Sequence, residues 1–193
     1  MYLFFDTETT GLPRSWKAPV TDLNNWPRMV QLAWQLHEPG GAVVQSGSAI
    51  IKPDGFAIPA EAARIHRITT DRALQEGVEL EGALRDFAAA LDRATLLVAH
   101  NISFDEMIVG AEFLRTRVPN LLFEVPRFCT MKGTTDICRI PGHYGFKWPK
   151  LEELHQFLFS KTYVDTHDAS ADVQACATCF FELQTRGLVI PPA

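Results

Sequence analysis

Residues 2–11, YLFFDTETTG, decide how the rest of the chain is organised. The first four of these residues form a short continuous apolar run, which is typical of a buried strand. The run ends at Asp6, and Glu8 follows two residues later. Because side chains alternate along a strand, both carboxylates point to the same face, and Mg²⁺ or Mn²⁺ takes such oxygen ligands. The stretch therefore predicts a buried strand with a candidate metal site at its end.

The segments that follow predict two more strands. Apolar and polar residues alternate over residues 29–37, which is the pattern of a strand. A Pro-Gly-Gly turn at residues 39–41 leads to residues 42–52, where a third strand is expected. The beginning of the chain is therefore predicted to form an antiparallel meander.

Beyond the meander, the hydrophobic period changes to that of helices. Residues 58–65 indicate a short helix, and residues 80–91 carry one apolar helical stripe. Short strands are predicted at residues 95–99 and 127–131. Three further helices are predicted. The first begins at a capping box from Ser103 to Glu106, with Asn101 as the alternative cap. The second is opened by Pro149 and carries Leu151, Leu154 and Leu158, and the third follows Asp168 and ends at Gly187. This layout predicts a mixed α/β fold with helices packed on a partly antiparallel sheet.

Length, composition and charge narrow the class of protein. Of 193 residues, 47% are hydrophobic and 21% are charged, so we expect one globular domain over residues 1–193. No apolar run approaches the roughly 20 residues that span a bilayer, and the start lacks the basic flank of a signal peptide, which predicts a cytoplasmic protein with no membrane partner. The net charge of −5 opposes nonspecific binding of nucleic acid by the whole surface. Local binding through metal ions stays open.

Three more polar residues are candidates for chemistry. Asp105 and Asp172 would each lie in the first turn of a helix, where the helix dipole alone accounts for a carboxylate. His167 precedes Asp172 by five residues, and a histidine in the loop before that helix could act as a general base near neutral pH. Taken singly, these residues do not distinguish a catalytic role from a structural one.

Three segments of the chain together carry a resemblance to a known family. They are FFDTETTGLP at residues 4–13, LVAHNISFDEMI at residues 97–108 and HDASADVQACATCFFEL at residues 167–183. In this order they resemble the three motifs of the DEDD 3′→5′ exonuclease superfamily, and the spacing from His167 to Asp172 matches its histidine-containing branch, DEDDh. Within that superfamily the chain is similar to the proofreading epsilon subunit of bacterial DNA polymerase III and to its stand-alone relatives.

The resemblance implies a fold and a set of catalytic roles. The fold is ribonuclease H-like, with a central mixed five-stranded sheet in the order 3-2-1-4-5 flanked by helices. The cofactors implied are two Mg²⁺ or Mn²⁺ ions. By the same resemblance, Asp6, Glu8 and Asp172 hold the more tightly bound ion, Asp6 bridges to the second ion, and Asp105 binds that second ion through water. His167 takes the proton from the attacking water, and the product is a nucleoside 5′-monophosphate.

Candidate substrate-binding residues lie in two parts of the sequence. Hydroxyls and backbone amides beside the first two carboxylates offer a surface for a nucleotide end. The pattern Glu61-x-x-x-x-His66 resembles an epsilon-like helix that contacts the terminal nucleotide, although Arg67 stands where the family often has glycine. By resemblance, Phe104 lines the pocket for the last base. The predicted set is Thr7, Thr9, Thr10, Gly11, Leu12, Glu61, His66 and Phe104.

Two other regions carry basic side chains, and in the first of them aromatic residues are interleaved with the basic ones. In the loop over residues 13–28, Trp16 could stack on a base, whereas Trp26 is expected to be buried beneath the sheet. A second basic region either guides phosphates or is simply solvated. It comprises Lys132, Arg139, His143, Lys147 and Lys150.

The function expected from these features is that of a metal-dependent 3′→5′ exonuclease acting on single-stranded or frayed 3′ ends of DNA, with proofreading or DNA repair as its context. One alternative is a 3′→5′ exoribonuclease or oligoribonuclease, which depends on whether the sugar pocket admits a 2′-hydroxyl. A second is a noncatalytic nucleic-acid or polymerase-binding module, against which five retained polar groups argue. Epsilon-like subunits bind the polymerase through a C-terminal extension, and the sequence ends soon after its last predicted helix, so a stand-alone enzyme is expected.

Overall fold

A computed structural model of the protein describes residues 1–161 and 168–190. In this part of the chain, five strands form one sheet in the order β3-β2-β1-β4-β5. The strands are β1 (Tyr2–Thr9), β2 (Met29–His37), β3 (Val43–Ile50), β4 (Leu96–Ala99) and β5 (Arg127–Cys129). The predicted fold class and strand order, 3-2-1-4-5 in a mixed sheet flanked by helices, are confirmed.

The central strand β1 is longer than its apolar run. It pairs antiparallel with β2 from Tyr2 to Thr9, but parallel with β4 only from Tyr2 to Phe4. Asp6 and Glu8 therefore continue the strand beyond the end of its pairing with β4, at one edge of the sheet. Pairing with β2 alone is enough to keep this polar stretch extended, which is why the strand does not stop at the first carboxylate.

The helices lie between and after the strands. They are α1 (Ala60–His66), α2 (Thr70–Glu76), α3 (Leu80–Leu91), α4 (Ile102–Thr116), α5 (Thr130–Gly133), α6 (Thr135–Cys138), α7 (Leu151–Phe159) and α8 (Ala169–Thr185). A two-stranded hairpin also joins β6 (Pro141–Gly142) to β7 (Gly145–Phe146). The sequence patterns did not predict α2, which is capped by the Thr69 hydroxyl accepting from Arg72 N, or this short hairpin.

Of the two starts predicted for α4, the alternative cap Asn101 is confirmed and the capping box at Ser103 is wrong. Helix α4 begins directly after Asn101, whose carbonyl already accepts from Phe104 N at 2.9 Å, so the first turn forms before Ser103 could act as a cap. The start predicted for α7 is also wrong. Helix α7 begins at Leu151, with Glu153 Oε2 accepting from Lys150 N at 2.8 Å. Pro149 consequently lies outside the helix that it was expected to open.

The core consists of a helical layer on each face of the sheet. Phe5 belongs to the cluster that packs beneath α3 and α4, whereas Phe4 packs with α7 and α8. Successive strand residues face opposite sides, so β1 contributes to both layers. Trp26 is buried in the first cluster, as predicted. Among the described helices, none has the length and apolar character needed to cross a membrane.

Candidate active site

Three carboxylates meet at the polar end of β1. Oxygens of Asp6, Glu8 and Asp172 all lie within 4.8 Å of one another, and all three side chains are partly exposed. Asp6 and Glu8 share the strand face of Phe4, which is the face that α8 covers. Asp172 comes from the first turn of that helix, so it approaches from above this face.

The position of α8 follows from contacts at its beginning. The Asp168 carboxylate accepts from Ser170 N at 2.9 Å and caps the helix. Ala169 N donates to Gln31 Oε1 at 3.3 Å, which attaches the same turn to β2. Because Gln31 pairs with Glu8 across the sheet, this contact sets the helix beside the two strand carboxylates.

Asp105 approaches from the opposite layer. It lies in the first turn of α4 and is only 3% exposed. Its Oδ1 accepts from Thr7 N at 3.0 Å and from the Thr7 hydroxyl at 2.7 Å. Burial raises the pKa of the Asp105 carboxyl to about 7, while the Thr7 hydrogen bonds act against this shift and the charge of Asp172 adds to it. Asp105 is therefore near the three-carboxylate cluster but outside it.

The donor set of the cluster suits a hard divalent cation. Three carboxylates in close contact repel one another, and a cation relieves this repulsion while taking one oxygen from each. Their partial exposure leaves room for water or a substrate oxygen in the remaining coordination positions. The residues thus fit the metal that the sequence predicted at this edge.

A cavity of about 610 Å³ lies next to the cluster. Glu8 belongs to its lining, so the cavity and the carboxylates share a wall. Every predicted substrate-binding residue lines this one cavity: Thr7, Thr9, Thr10, Gly11, Leu12, Glu61, His66 and Phe104. Sequence reasoning missed Pro59, Ala62 and Ile65, which also line it. The helical spacing of four residues from Glu61 to Ile65 and from Ala62 to His66 was the available signal.

Two left-handed backbone positions shape the walls of the cavity. Gly11 has φ +147°, which side chains disfavour, and the Thr9 hydroxyl holds the turn by donating to Gly11 O at 2.7 Å. At the end of α1, Arg67 has φ 62°. The turn thus keeps a conformation that suits glycine although it carries a side chain, and it lets Ile68 N donate to His66 Nδ1 at 3.1 Å.

A buried ion-pair network lies next to the cavity, where Arg28 N donates to the hydroxyl of the lining residue Thr10 at 3.0 Å. Glu112 of α4 is fully buried and accepts from Arg28 Nε at 2.9 Å and from Met29 N at 3.0 Å. The Arg28 guanidinium in turn lies 4.5 Å from the centre of the Phe56 ring, on the segment that leads to α1. Arg115 also pairs with Glu112 at 3.0 Å. Sequence reasoning missed this network, and its signal was one acidic residue within the apolar part of α4.

The predicted general base, His167, lies outside the described residues. The structure describes the chain again from Asp168, directly before α8. Of the five predicted catalytic residues, Asp6, Glu8 and Asp172 form one cluster and Asp105 adjoins it through Thr7.

The comparison with known families agrees with this geometry. A family model described as exonuclease (RNase_T) matches residues 3–180. The chain belongs to the exonuclease family. Membership of the DEDD exonuclease superfamily, which the three sequence motifs predicted, is confirmed. No curated protein matches the chain.

Solved exonuclease structures share the fold. Escherichia coli exonuclease I in complex with a dA16 oligonucleotide is 20% identical with a TM-score of 0.73, over 97% of this chain and 41% of that one. Its complex with a dT13 oligonucleotide is 20% identical with a TM-score of 0.74, over 96% of this chain and 41% of that one. A zinc-bound complex of E. coli exonuclease I with single-stranded DNA is 21% identical with a TM-score of 0.70, over 96% of this chain and 40% of that one. This exonuclease-family chain thus spans about two-fifths of the length of those proteins.

Proposed function

We propose that the protein is a metal-dependent 3′→5′ exonuclease that removes nucleotides from single-stranded or frayed 3′ ends of DNA. The observation that carries this proposal is the cluster of Asp6, Glu8 and Asp172, of which Glu8 also lines a nucleotide-sized cavity. Membership of the exonuclease family supports the reaction class. The single-stranded DNA in the similar exonuclease I complexes favours DNA as the substrate.

Each carboxylate has a role in this proposal. Asp6, Glu8 and Asp172 would hold one Mg²⁺ or Mn²⁺ ion, and Asp6 and Asp105 would contribute to holding a second. Thr7 keeps Asp105 in place for that role through two hydrogen bonds. When bound, the two ions supply a more acidic attacking water and stabilise the negative charge on the leaving 3′ oxygen.

The other residues of the site bind the terminal nucleotide and move a proton. Leu12 and Phe104 offer apolar surface to the last base, while Glu61 and His66 of α1 contact the terminal nucleotide in the same cavity. The backbone of Thr10 and Gly11 lies where a nucleotide end would rest. His167 accepts the proton of the attacking water, and the product is a nucleoside 5′-monophosphate. Proofreading within a polymerase complex stays a prediction from the resemblance alone.

Product analysis tests this proposal. Single-stranded DNA and RNA of one sequence, labelled at the 5′ end, are incubated with the protein in Mg²⁺, in Mn²⁺ and in chelator. We expect a metal-dependent ladder that shortens the DNA from its 3′ end, and no ladder with Asp6→Ala. A ladder on RNA alone would replace the proposal with an exoribonuclease. No ladder on either strand from folded protein would leave a noncatalytic binding module.

A further inference from the structure

The segment from Arg139 to Lys150 presents aromatic rings to solvent. It contains the β6–β7 hairpin, and Lys147 N donates to Ile140 O at 2.9 Å, which extends the hairpin pairing toward α7. Tyr144 at the tip is fully exposed, Phe146 is 48% exposed and Trp148 is 60% exposed. We call this segment the aromatic hairpin. Large exposed rings at three nearby positions are unusual for a surface that only contacts water.

Basic side chains accompany these rings. Residues 132–150 contain four cations and one carboxylate, Asp136, in a chain whose net charge is −5. The cations are Lys132, Arg139, Lys147 and Lys150. Lys147 and Lys150 pair with Glu153 and Glu152 of α7. Within residues 1–161 and 168–190, Lys132 forms no ion pair, and its Nζ lies 5.9 Å from the centre of the Trp148 ring. This surface thus offers a cation directly beside an exposed indole.

The base of the aromatic hairpin is attached to the edge of the sheet that carries the candidate active site. His100 Nε2 lies 3.0 Å from Pro149 O, and His100 Nδ1 lies 3.0 Å from Thr130 Oγ1. His100 directly follows β4 and precedes Asn101, the residue before α4. Trp148 directly precedes Pro149, the residue whose carbonyl contacts His100. Asp105 lies in the first turn of the helix that begins two residues after His100, so the exposed indole is attached close to the candidate active site.

We propose that the aromatic hairpin binds single-stranded nucleic acid upstream of the nucleotide that is removed. Exposed rings stack on bases of any sequence, and adjacent cations contact the backbone phosphates. Phe146 ends β7 and Trp148 follows it by two residues, so these two exposed rings are close enough along the chain to receive neighbouring bases. Two cations of the stretch, Lys132 and Arg139, form no ion pair within the described residues, whereas Lys147 and Lys150 are paired with α7. The unpaired cations beside exposed rings favour a polyanion over an apolar protein surface as the occupant.

The direction of binding rests on the proposed function, because the strand must leave the cavity that holds its 3′ end. A terminal nucleotide fills the cavity, and the remaining strand continues along the same edge toward the aromatic hairpin. A short oligonucleotide should therefore contact the cavity alone. A longer one should gain affinity from Tyr144 and Trp148.

Binding by the 193-residue chain tests the inference without turnover. In an Asp6→Ala background, affinities are measured by fluorescence anisotropy for labelled dT4 and dT16. We expect Trp148→Ala to weaken the binding of dT16 by about tenfold, which is typical of the loss of one stacked base, and to leave dT4 unchanged. Tyr144→Ala should act in the same direction. Lys132→Gln should reduce the salt dependence of dT16 binding, since one fewer phosphate is neutralised.

A matched control separates this surface from exposed rings in general. Phe157→Ala removes a half-exposed ring on α7 and should leave both affinities unchanged. Thermal unfolding checks that each variant is folded. If Trp148→Ala and Tyr144→Ala bind dT16 as tightly as Phe157→Ala does, the inference is overturned even where the protein degrades DNA. If the wild type degrades no strand and dT16 still binds through Trp148, the proposed function and the direction of binding fail, while the binding of single-stranded nucleic acid by the aromatic hairpin stands.

Discussion

Thr7 donates two hydrogen bonds to a single oxygen of Asp105, from its backbone nitrogen at 3.0 Å and from its hydroxyl at 2.7 Å. The bonds join the central strand to the first turn of α4 across the end of the sheet. Thr7 lies between Asp6 and Glu8 in the sequence but faces the other layer. One strand therefore provides two carboxylates to a candidate metal site and, between them, the residue that positions a third carboxylate.

The raised pKa of Asp105 predicts how stability depends on pH in the absence of metal. Burial raises the pKa of this carboxyl from its ordinary value of 3.8 to about 7 in the folded protein. Between these values the folded state binds the extra proton, so its stabilising effect is complete below pH 3.8 and is lost as the pH rises through 7. Asp105→Asn removes this dependence while its amide oxygen still accepts from Thr7.

We therefore expect metal-free Asp105→Asn to be more stable than the wild type at pH 8, by about 1–3 kcal/mol. The difference should shrink toward pH 5, where Asp105 in the wild type is protonated. Urea unfolding in chelator measures the free energy of unfolding at each pH. Parallel pH profiles for the two proteins would contradict the assigned shift.

Removal of one cluster carboxylate should abolish activity without harming the fold. Asp6→Ala takes one oxygen ligand from the three that lie within 4.8 Å of one another, and it also relieves repulsion between them. We expect no measurable turnover, weaker Mn²⁺ binding by calorimetry and an undiminished melting temperature in chelator. Asp71→Ala, an exposed carboxylate in the first turn of α2, is the control and should keep full activity. Substantial residual turnover in Asp6→Ala would remove it from the metal site.

The general base is testable through rate and pH together. His167→Ala should lower the turnover rate at neutral pH by roughly 10²- to 10⁴-fold, which is the usual contribution of a positioned base. The acidic limb of the pH–rate profile should also change, because the group that must lose its proton is gone. His155→Ala, on α7, serves as the control histidine. An unchanged rate and profile would exclude His167 from this role.

The cavity wall should contribute to binding more than to chemistry. Phe104 lines the cavity, and its ring centre lies 5.7 Å from that of Trp16. Phe104→Ala should raise KM for an oligonucleotide by about tenfold with a smaller change in kcat, because base stacking is lost in both the ground state and the transition state. Steady-state kinetics on dT4 give both constants. A fall in kcat at constant KM would indicate that Phe104 acts instead by positioning Asp105.

The buried Glu112 network should dominate the stability of the cavity walls. Glu112→Ala leaves Arg28 and Met29 N without their acceptor, and we expect a loss of about 3–5 kcal/mol in the free energy of unfolding. Glu112→Gln keeps the shape and an acceptor oxygen, so its cost should be smaller. Arg72→Ala, which breaks the exposed pair with Glu76, should cost little and is the control. Equal losses in all three variants would contradict the role of burial.

The sequence alone determined the type and position of the elements in which apolar residues recur with a regular period. Strand β2 over residues 29–37 and helix α3 over residues 80–91 have the predicted bounds, because a regular apolar period identifies the type and extent of an element. The period did not show that β2 is buried on both faces, where Gln31 and Ala33 are also covered. Motif spacing identified the exonuclease family and the acidic residues of the cluster. Period-two alternation was sufficient to place Asp6 and Glu8 on one face, since that relationship lies within one strand.

Only the tertiary structure decided how residues from different elements meet. Strand β1 continues to pair with β2 after its pairing with β4 has ended, which leaves the carboxylates at the polar end of the central strand. There, α8 and α4 pack from opposite faces of the sheet. That arrangement puts Asp172 in the cluster and leaves Asp105 buried beside Thr7, a difference that no local pattern contains. The aromatic hairpin was likewise hidden, because a two-residue strand has no period to read. Local periodicity reports burial within one element, whereas distances between elements depend on how both layers pack against the same sheet.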